Sequence, residues 1–350
     1  MPERKLRNNA ASAPAVVTPS RKHLFVVGCP RSGTTWMSWL LSRHPATVVS
    51  LHTGFFQALE RHLGWFDAPK DFGNRIVATA GGTEEGDGRV VTLADVLPRA
   101  ELHRACRPLA ECLFEAVARV NPEASWVIEK TPENLLHADL IRAVLPDAAF
   151  LHVIRDPRAV FSSMRMASRH WVFPGDLPAI PITFARRYWN AYIDAGERLA
   201  AADNYFAVRY EDLLEDGVDR LAAVFRWMGL PADSGLCERA VEAGAIDRMR
   251  SDLSAPRGFF RSGRAEGWRE ELSGSQVRLI EHLCGERMER FGYHCSGART
   301  DRAPVRLRLA DSVTEMGRKL VRGPLGRPLM GLFGRARSSV ETVRGMMGGS

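Results

Sequence analysis

Apolar positions along the chain follow two rhythms. Short uninterrupted apolar runs at residues 24–27 (Leu-Phe-Val-Val), 126–128 (Trp-Val-Ile), 150–154 (Phe-Leu-His-Val-Ile) and 206–209 (Phe-Ala-Val-Arg) have the length and the β-branched or aromatic content of buried strands. Around and between them, apolar residues recur every three or four positions over 34–43, 132–145, 157–169, 183–202, 217–228 and 273–291, the period of helices with one buried face. The first of these helices stops before Pro45, and another is opened by Pro157. Strands alternating with helices predict parallel βαβ units, hence an α/β fold with a central parallel sheet flanked by helices. Residues 79–89 (TAGGTEEGDGR) read as a loop, and the aromatic stretch 51–72 reads as a second loop-rich region.

Composition adds that the chain is an ordinary globular one: 350 residues, 45% hydrophobic and 25% charged, which excludes a disordered tail protein. At this length roughly three quarters of the unfolded chain's surface can be buried, enough for one large domain. The net charge of +7 is uneven. Residues 1–22 carry five basic residues against one acidic, residues 301–350 carry ten against four, and the body between holds 33 basic against 36 acidic. A nucleic-acid-binding domain would concentrate positive charge on the body, so no nucleic acid partner is expected. The pattern divides the chain into a flexible basic arm (1–22), a folded domain (23–296) and a basic tail (297–350). No apolar window reaches the roughly 18 residues of a membrane span, and Pro14 breaks the short apolar stretch near the start, so a cytoplasmic protein is expected. In the tail Arg alternates with Leu, Val and Met, a pattern fit to lie peripherally on an anionic membrane, while Pro324 and Pro328 equally fit a solubilising tail. The six cysteines are scattered, with neither a paired framework nor metal-ligand spacing, which fits a reducing compartment and no metal site.

Gly28-Cys29-Pro30-Arg31-Ser32-Gly33-Thr34-Thr35 follows the first strand and opens the first helix. In that context a G-x-x-x-x-G loop turns backbone N–H groups toward a phosphate at a helix N-terminus. The lysine of a nucleoside-triphosphate loop is replaced by Thr34, and a cation stands three residues earlier as Arg31. The third strand runs into Arg155-Asp156-Pro157, and Ser163 lies eight residues after Arg155, so both side chains can converge on one anion at the sheet edge. The same strand admits a rival use, with Asp156 holding Mg²⁺ for phosphoryl transfer from a nucleoside triphosphate. Lysine is scarce, five against 43 arginines, and of the five only Lys130 lies at a strand-to-helix junction of the body.

The segment from Gly28 to Trp36 resembles the first motif of the sulfotransferases that use 3′-phosphoadenosine 5′-phosphosulfate (PAPS), P-[KR]-S-G-T-T-[WL], and Arg155 with Ser163 resembles their 3′-phosphate motif. The resemblance spans residues 23–294 and implies a P-loop-type fold, PAPS as co-substrate without a metal, and an acceptor hydroxyl. It implies that Arg31, Ser32, Gly33, Thr34 and Thr35 hold the 5′-phosphosulfate, that Trp36 and Tyr210 (in Arg209-Tyr210-Glu211-Asp212) approach the adenine, and that Arg155 and Ser163 hold the 3′-phosphate. Arg261 and Gly263, in Phe260-Arg261-Ser262-Gly263, resemble the family's C-terminal cofactor loop, from which Ser262, Glu266 and Gly267 depart. Lys130 stands 25 residues before Arg155, where the tyrosylprotein and carbohydrate branches carry a lysine that stabilises the departing phosphate.

The count that reaches the catalytic glutamate of the tyrosylprotein branch, 21 residues after Arg31, reaches His52 here, so His52 is the expected general base. His152, inside the third strand, is expected to be packed. Phe55, Phe56, Trp65, Phe66 and Phe72 form either an acceptor wall or core. Carbohydrate, glycolipid or another small molecule is favoured over protein tyrosine as acceptor. The competing expectations are a phosphotransferase using a magnesium–nucleotide complex and a non-catalytic, membrane-peripheral protein that keeps the nucleotide fold.

Overall fold

The computed structural model describes residues 21–66, 75–78, 89–92, 96–170, 182–245, 248–249 and 264–296. Five strands, β1 (Lys22–Val27), β2 (Thr47–Leu51), β5 (Trp126–Lys130), β6 (Ala149–Ile154) and β7 (Tyr205–Arg209), form one parallel sheet in the order β2-β5-β1-β6-β7. A separate antiparallel pair is made by β3 (Arg75–Ala78) and β4 (Arg89–Thr92). Four of the sheet strands are the apolar runs. They read continuously because helices cover both faces, so successive side chains are buried in opposite directions.

One face packs Phe25, Val27, Val127 and Phe150 against α2 (Phe55–Phe66), α3 (Arg99–Ala118), α4 (Ala138–Val144), α5 (Pro157–His170) and α6 (Ile182–Leu199). The terminal helix α11 (Gly274–Arg290) packs on that face too. The other face packs Leu24, Val26, Ile128 and Leu151 against α1 (Thr34–Leu41), α7 (Tyr210–Glu215), α8 (Gly217–Trp227) and α9 (Ser234–Ala243). A short helix α10 (Trp268–Glu271) precedes α11, which starts at a capping box: the Gln276 N–H donates to Ser273 Oγ and the Ser273 N–H donates to Gln276 Oε1.

The structure differs from the sequence expectation in several places. The 51–72 region is not loop throughout, because residues 55–66 form α2, whose Phe56 is core and meets Phe25 edge to face. Thr47–Leu51 is an additional edge strand, and Arg99–Ala118 an additional helix. The 132–145 stretch divides into a 3-10 helix (Pro132–His137) and α4. Arg21 and Lys22 belong to the fold rather than to the arm, since Lys22 begins β1 and Arg21 pairs with Glu115 at 2.6 Å. Residues 1–20, residues 79–88 of the expected 79–89 loop and the 297–350 tail lie outside the described residues, while Arg89 of that loop begins β4. Among those described, no helix is long and apolar enough to cross a membrane.

Candidate active site

Strand register brings the expected site residues to one edge. Leu51 lies beside Lys130, Val27 beside His152, and Ile154 beside Arg209, so the residues that follow these strand ends (His52, Gly28, Arg155 and Tyr210) line up along the carboxyl edge of the sheet. β1 is the central strand: the chain runs first to β2 and β5 on one side of it and then to β6 and β7 on the other, and a ligand crevice forms at such a reversal in open parallel sheets.

The loop after β1 is held by Gly28 N–H donating to the Pro132 carbonyl at 3.3 Å and Ser32 N–H donating to the Cys29 carbonyl at 3.0 Å. Two glycines are required here. A Cβ on Gly28 would sit 2.4 Å from the Val153 carbonyl, and one on Gly33 (φ 99°) would sit 2.4 Å from the Tyr210 ring. Arg31 is left-handed at φ 78° although it carries a side chain, a conformation that costs about 1–3 kcal/mol and that clusters at functional sites.

The loop opens onto a cavity of about 600 Å³. Its polar wall includes Arg31, Arg155, Ser162, Ser163 and Glu271, and its apolar wall includes Trp36, Tyr210, Leu213, Val218, Val241 and Met249. The three expected anion contacts meet: Arg31 Nε donates to Ser163 Oγ at 3.0 Å, and Arg155 Nη1 donates to the Arg31 carbonyl at 3.1 Å. Arg155 Nη2 donates to the Arg264 carbonyl at 3.2 Å, and its guanidinium lies 4.2 Å from the Tyr210 ring centre. Arg155 Nε and Ser32 Oγ are buried without a hydrogen-bond partner among the described residues. Trp36 and Tyr210 meet edge to face at 5.3 Å, and the Trp36 indole N–H donates to the Gly244 carbonyl at 3.0 Å, which closes α1 against the end of α9. Burial raises the Tyr210 hydroxyl pKa, with the Arg155 charge opposing.

Neither His52 nor Lys130 lines this cavity; both lie at the carboxyl edge of the sheet, at the ends of β2 and β5. His52 is exposed and left-handed at φ 61°, and its N–H donates to the Lys130 carbonyl at 2.8 Å. Lys130 is buried. Burial pulls its pKa below the ordinary lysine value, Glu129 and Glu133 push it up, and Arg31 pulls it down.

His152 is packed as expected: it is 1% exposed, shares a 2.8 Å hydrogen bond with the Tyr205 hydroxyl, and burial lowers its pKa to about 3. Asp156 does not face the cavity. Its Oδ1 and Oδ2 accept from Arg158 Nε and Nη2, the closest at 2.7 Å, and Arg158 also pairs with Glu281 at 2.7 Å, tying the start of α5 to α11. A magnesium role for Asp156 would require breaking that buried pair. Arg261 and Gly263 lie outside the described residues. Sequence reasoning missed Glu271, which accepts a hydrogen bond from Ser162 in the cavity wall, and Glu129, a carboxylate inside an apolar strand run and a signal in itself.

Residues 23–234 match the sequence profile of the "Sulfotransferase family". Carbohydrate sulfotransferase 2 of Homo sapiens is 26% identical over 83% of this chain and 62% of its own length. Nodulation protein NoeE of Sinorhizobium fredii is 23% identical over 80% of this chain and 68% of its own, and protein-tyrosine sulfotransferase 1 of Danio rerio is 25% identical over 69% and 64%. The chain thus spans less than two thirds of the length of the human carbohydrate sulfotransferase it matches. Among solved structures, mouse sulfotransferase SULT7A1 complexed with PAP aligns over 77% of this chain and 85% of that one, at 15% identity and a TM-score of 0.48. With the profile covering more than half of its residues, the chain belongs to the sulfotransferase family.

Proposed function

We propose that the protein transfers a sulfuryl group from PAPS to an acceptor hydroxyl. The observation that carries this reading is the meeting of Arg31, Arg155 and Ser163, far apart in sequence, on one wall of a cavity entered through a glycine loop. The same cavity is lined by Gly33, Thr34 and Thr35 at the N-terminus of α1 and by both arginines, a lining that fits a ligand with two anionic groups, and PAPS carries a phosphosulfate and a 3′-phosphate. Residues 31–35, at the N-terminus of α1, would hold the phosphosulfate. Arg155 and Ser163 would hold the 3′-phosphate, and Trp36 and Tyr210 would wall the base.

Bound there, PAPS supplies an activated sulfuryl group whose departure leaves a phosphate. Lys130, at the end of β5, neutralises charge that grows on that phosphate. An imidazole nitrogen of His52 takes the acceptor's proton, and its exposed place at the end of β2 leaves room for a second substrate. A carbohydrate, glycolipid or other small molecule is the favoured acceptor, supported by the match to a carbohydrate sulfotransferase and by histidine where the tyrosylprotein branch has glutamate.

The test is incubation with PAPS and a panel of sugars, glycolipids and phenols in EDTA, with products weighed by mass spectrometry. One acceptor class is expected to gain a sulfuryl group. Magnesium-dependent phosphoryl transfer from ATP, with no sulfated product, would overturn the proposal.

A further inference from the structure

Glu129 is a buried carboxylate that the transfer chemistry above leaves without a role. It is 1% exposed, in β5, where Val127 packs on the α2 side of the sheet and Ile128 on the α1 side, so strand alternation turns Glu129 toward α2 and Lys130 toward α1. Its Oε1 accepts from the Thr53 N–H at 3.1 Å, from Thr53 Oγ1 at 2.8 Å and from Thr131 Oγ1 at 2.5 Å, and its Oε2 accepts from Asn134 Nδ2 at 2.5 Å. All four donors are neutral. Holding an ionised group out of water on neutral donors is costly, and an apolar residue would fill the same space without that cost.

The contacts concentrate on one short turn. Thr53 Oγ1, while donating to Glu129, accepts from the Phe55 N–H at 3.3 Å, and Phe55 is the first residue of α2. On the other side of Thr53, the His52 N–H donates to the Lys130 carbonyl. Residues 52 and 54 are both left-handed, at φ 61° and 63°, and residue 52 is not glycine. Segment 52–54 is therefore pinned twice by β5, once through the Lys130 backbone and once through the Glu129 side chain.

We infer that Glu129 is a positioning residue, whose carboxylate holds the 52–54 turn against the end of β5 and thereby sets the His52 imidazole beside the Lys130 ammonium. The inference rests on the assignment of His52 and Lys130 to the transfer step. The carboxylate has a second effect on the same pair. Of the charged groups around Lys130, Glu129 and Glu133 favour its protonated form while Arg31 opposes it, so removal of the Glu129 charge leaves burial and Arg31 less opposed.

The experiment uses the full chain and three readouts that need no acceptor. Glu129→Gln keeps the volume but turns an amide donor toward the Thr53 or Asn134 donors. Amide hydrogen exchange at Thr53 and Phe55 is expected to speed by about tenfold or more, which is the loss of one such hydrogen bond. Titration of the Lys130 side chain by carbon NMR, assigned through Lys130→Met, is expected to show its midpoint moving to lower pH. Affinity for 3′-phosphoadenosine 5′-phosphate (PAP) is expected to stay within about twofold, because Glu129 does not line the cavity and takes no part in the Arg31, Arg155 and Ser163 contacts. Glu129→Asp, which keeps the charge but not the reach, is expected to restore the Lys130 midpoint more than the Thr53 protection. Unchanged Thr53 exchange, or a loss of PAP affinity in step with a falling Tm, would overturn the inference. Full sulfuryl transfer by His52→Ala would instead overturn the assignment of His52, and the Thr53 exchange result would still report on Glu129.

Discussion

Arg155 reaches in three directions from one guanidinium: to the Arg31 carbonyl, to the Arg264 carbonyl and onto the Tyr210 ring, with Nε left over. Hydrogen bonds to charged groups contribute about 1.5–3 kcal/mol, so Arg155→Ala is expected to weaken PAP binding by about 10- to 150-fold. Calorimetric titration alongside a thermal scan checks this, and an unchanged affinity in a folded variant would remove Arg155 from the site. Lys130 makes a prediction of a different kind. The protonated form is the one that can neutralise a departing phosphate, and its pKa lies below the ordinary lysine value, so kcat is expected to fall on the alkaline side earlier than an ordinary lysine would allow. Lys130→Met is expected to remove that limb and to lower kcat by about 10²–10³-fold with a smaller change in PAP affinity, read from pH–rate profiles. At this scale Arg31, Arg155 and Ser163 were legible as candidates, because each lies in a short motif of fixed local spacing; the fold then brings the two motifs together. The ties of Glu129 to Thr53 and of Arg158 to Glu281 were not, because those partners lie on other elements and no local spacing records them.

The phosphate loop works as an element. Gly33 combines φ 99° with a Tyr210 ring where a Cβ would go, so Gly33→Ala must either shift the loop or push the ring into the cavity. A strained site of this kind costs about 1–3 kcal/mol, and each kcal/mol lowers Tm by about 2–4 °C in a domain of this size. Both Tm and PAP affinity are therefore expected to fall in Gly33→Ala, and a variant that keeps both would show that the ring contact is unimportant. The legibility of elements followed burial. The central strands are covered on both faces and read as unbroken apolar runs, whereas β2, an edge strand that ends in Ser50 and a half-exposed Leu51, has no such run. Helix α2 carries aromatic residues where a loop was expected, because its Phe56 and Leu63 pack on the sheet while Glu60 and Arg61 face outward.

For the whole molecule, His152 ties stability to pH. Its pKa is near 3 in the fold and near 6.5 when unfolded, so between those values the unfolded chain binds more protons and stability falls as pH falls. The loss is expected to reach about 2 kcal/mol by pH 5, from about 1.4 kcal/mol per unit, and His152→Gln is expected to flatten that limb in urea unfolding at pH 7 and pH 5. In the proposed reading, the carboxyl-edge cavity is the nucleotide site, and the residues that meet there, Arg31, Arg155 and Ser163, come from chain segments more than 100 residues apart. The most direct measurement is calorimetric titration of the full chain with PAP in EDTA, with magnesium–ATP as the comparison. Tight metal-independent PAP binding that is lost in Arg155→Ala is the expected result; no heat with PAP and clear binding of magnesium–ATP would contradict the assignment.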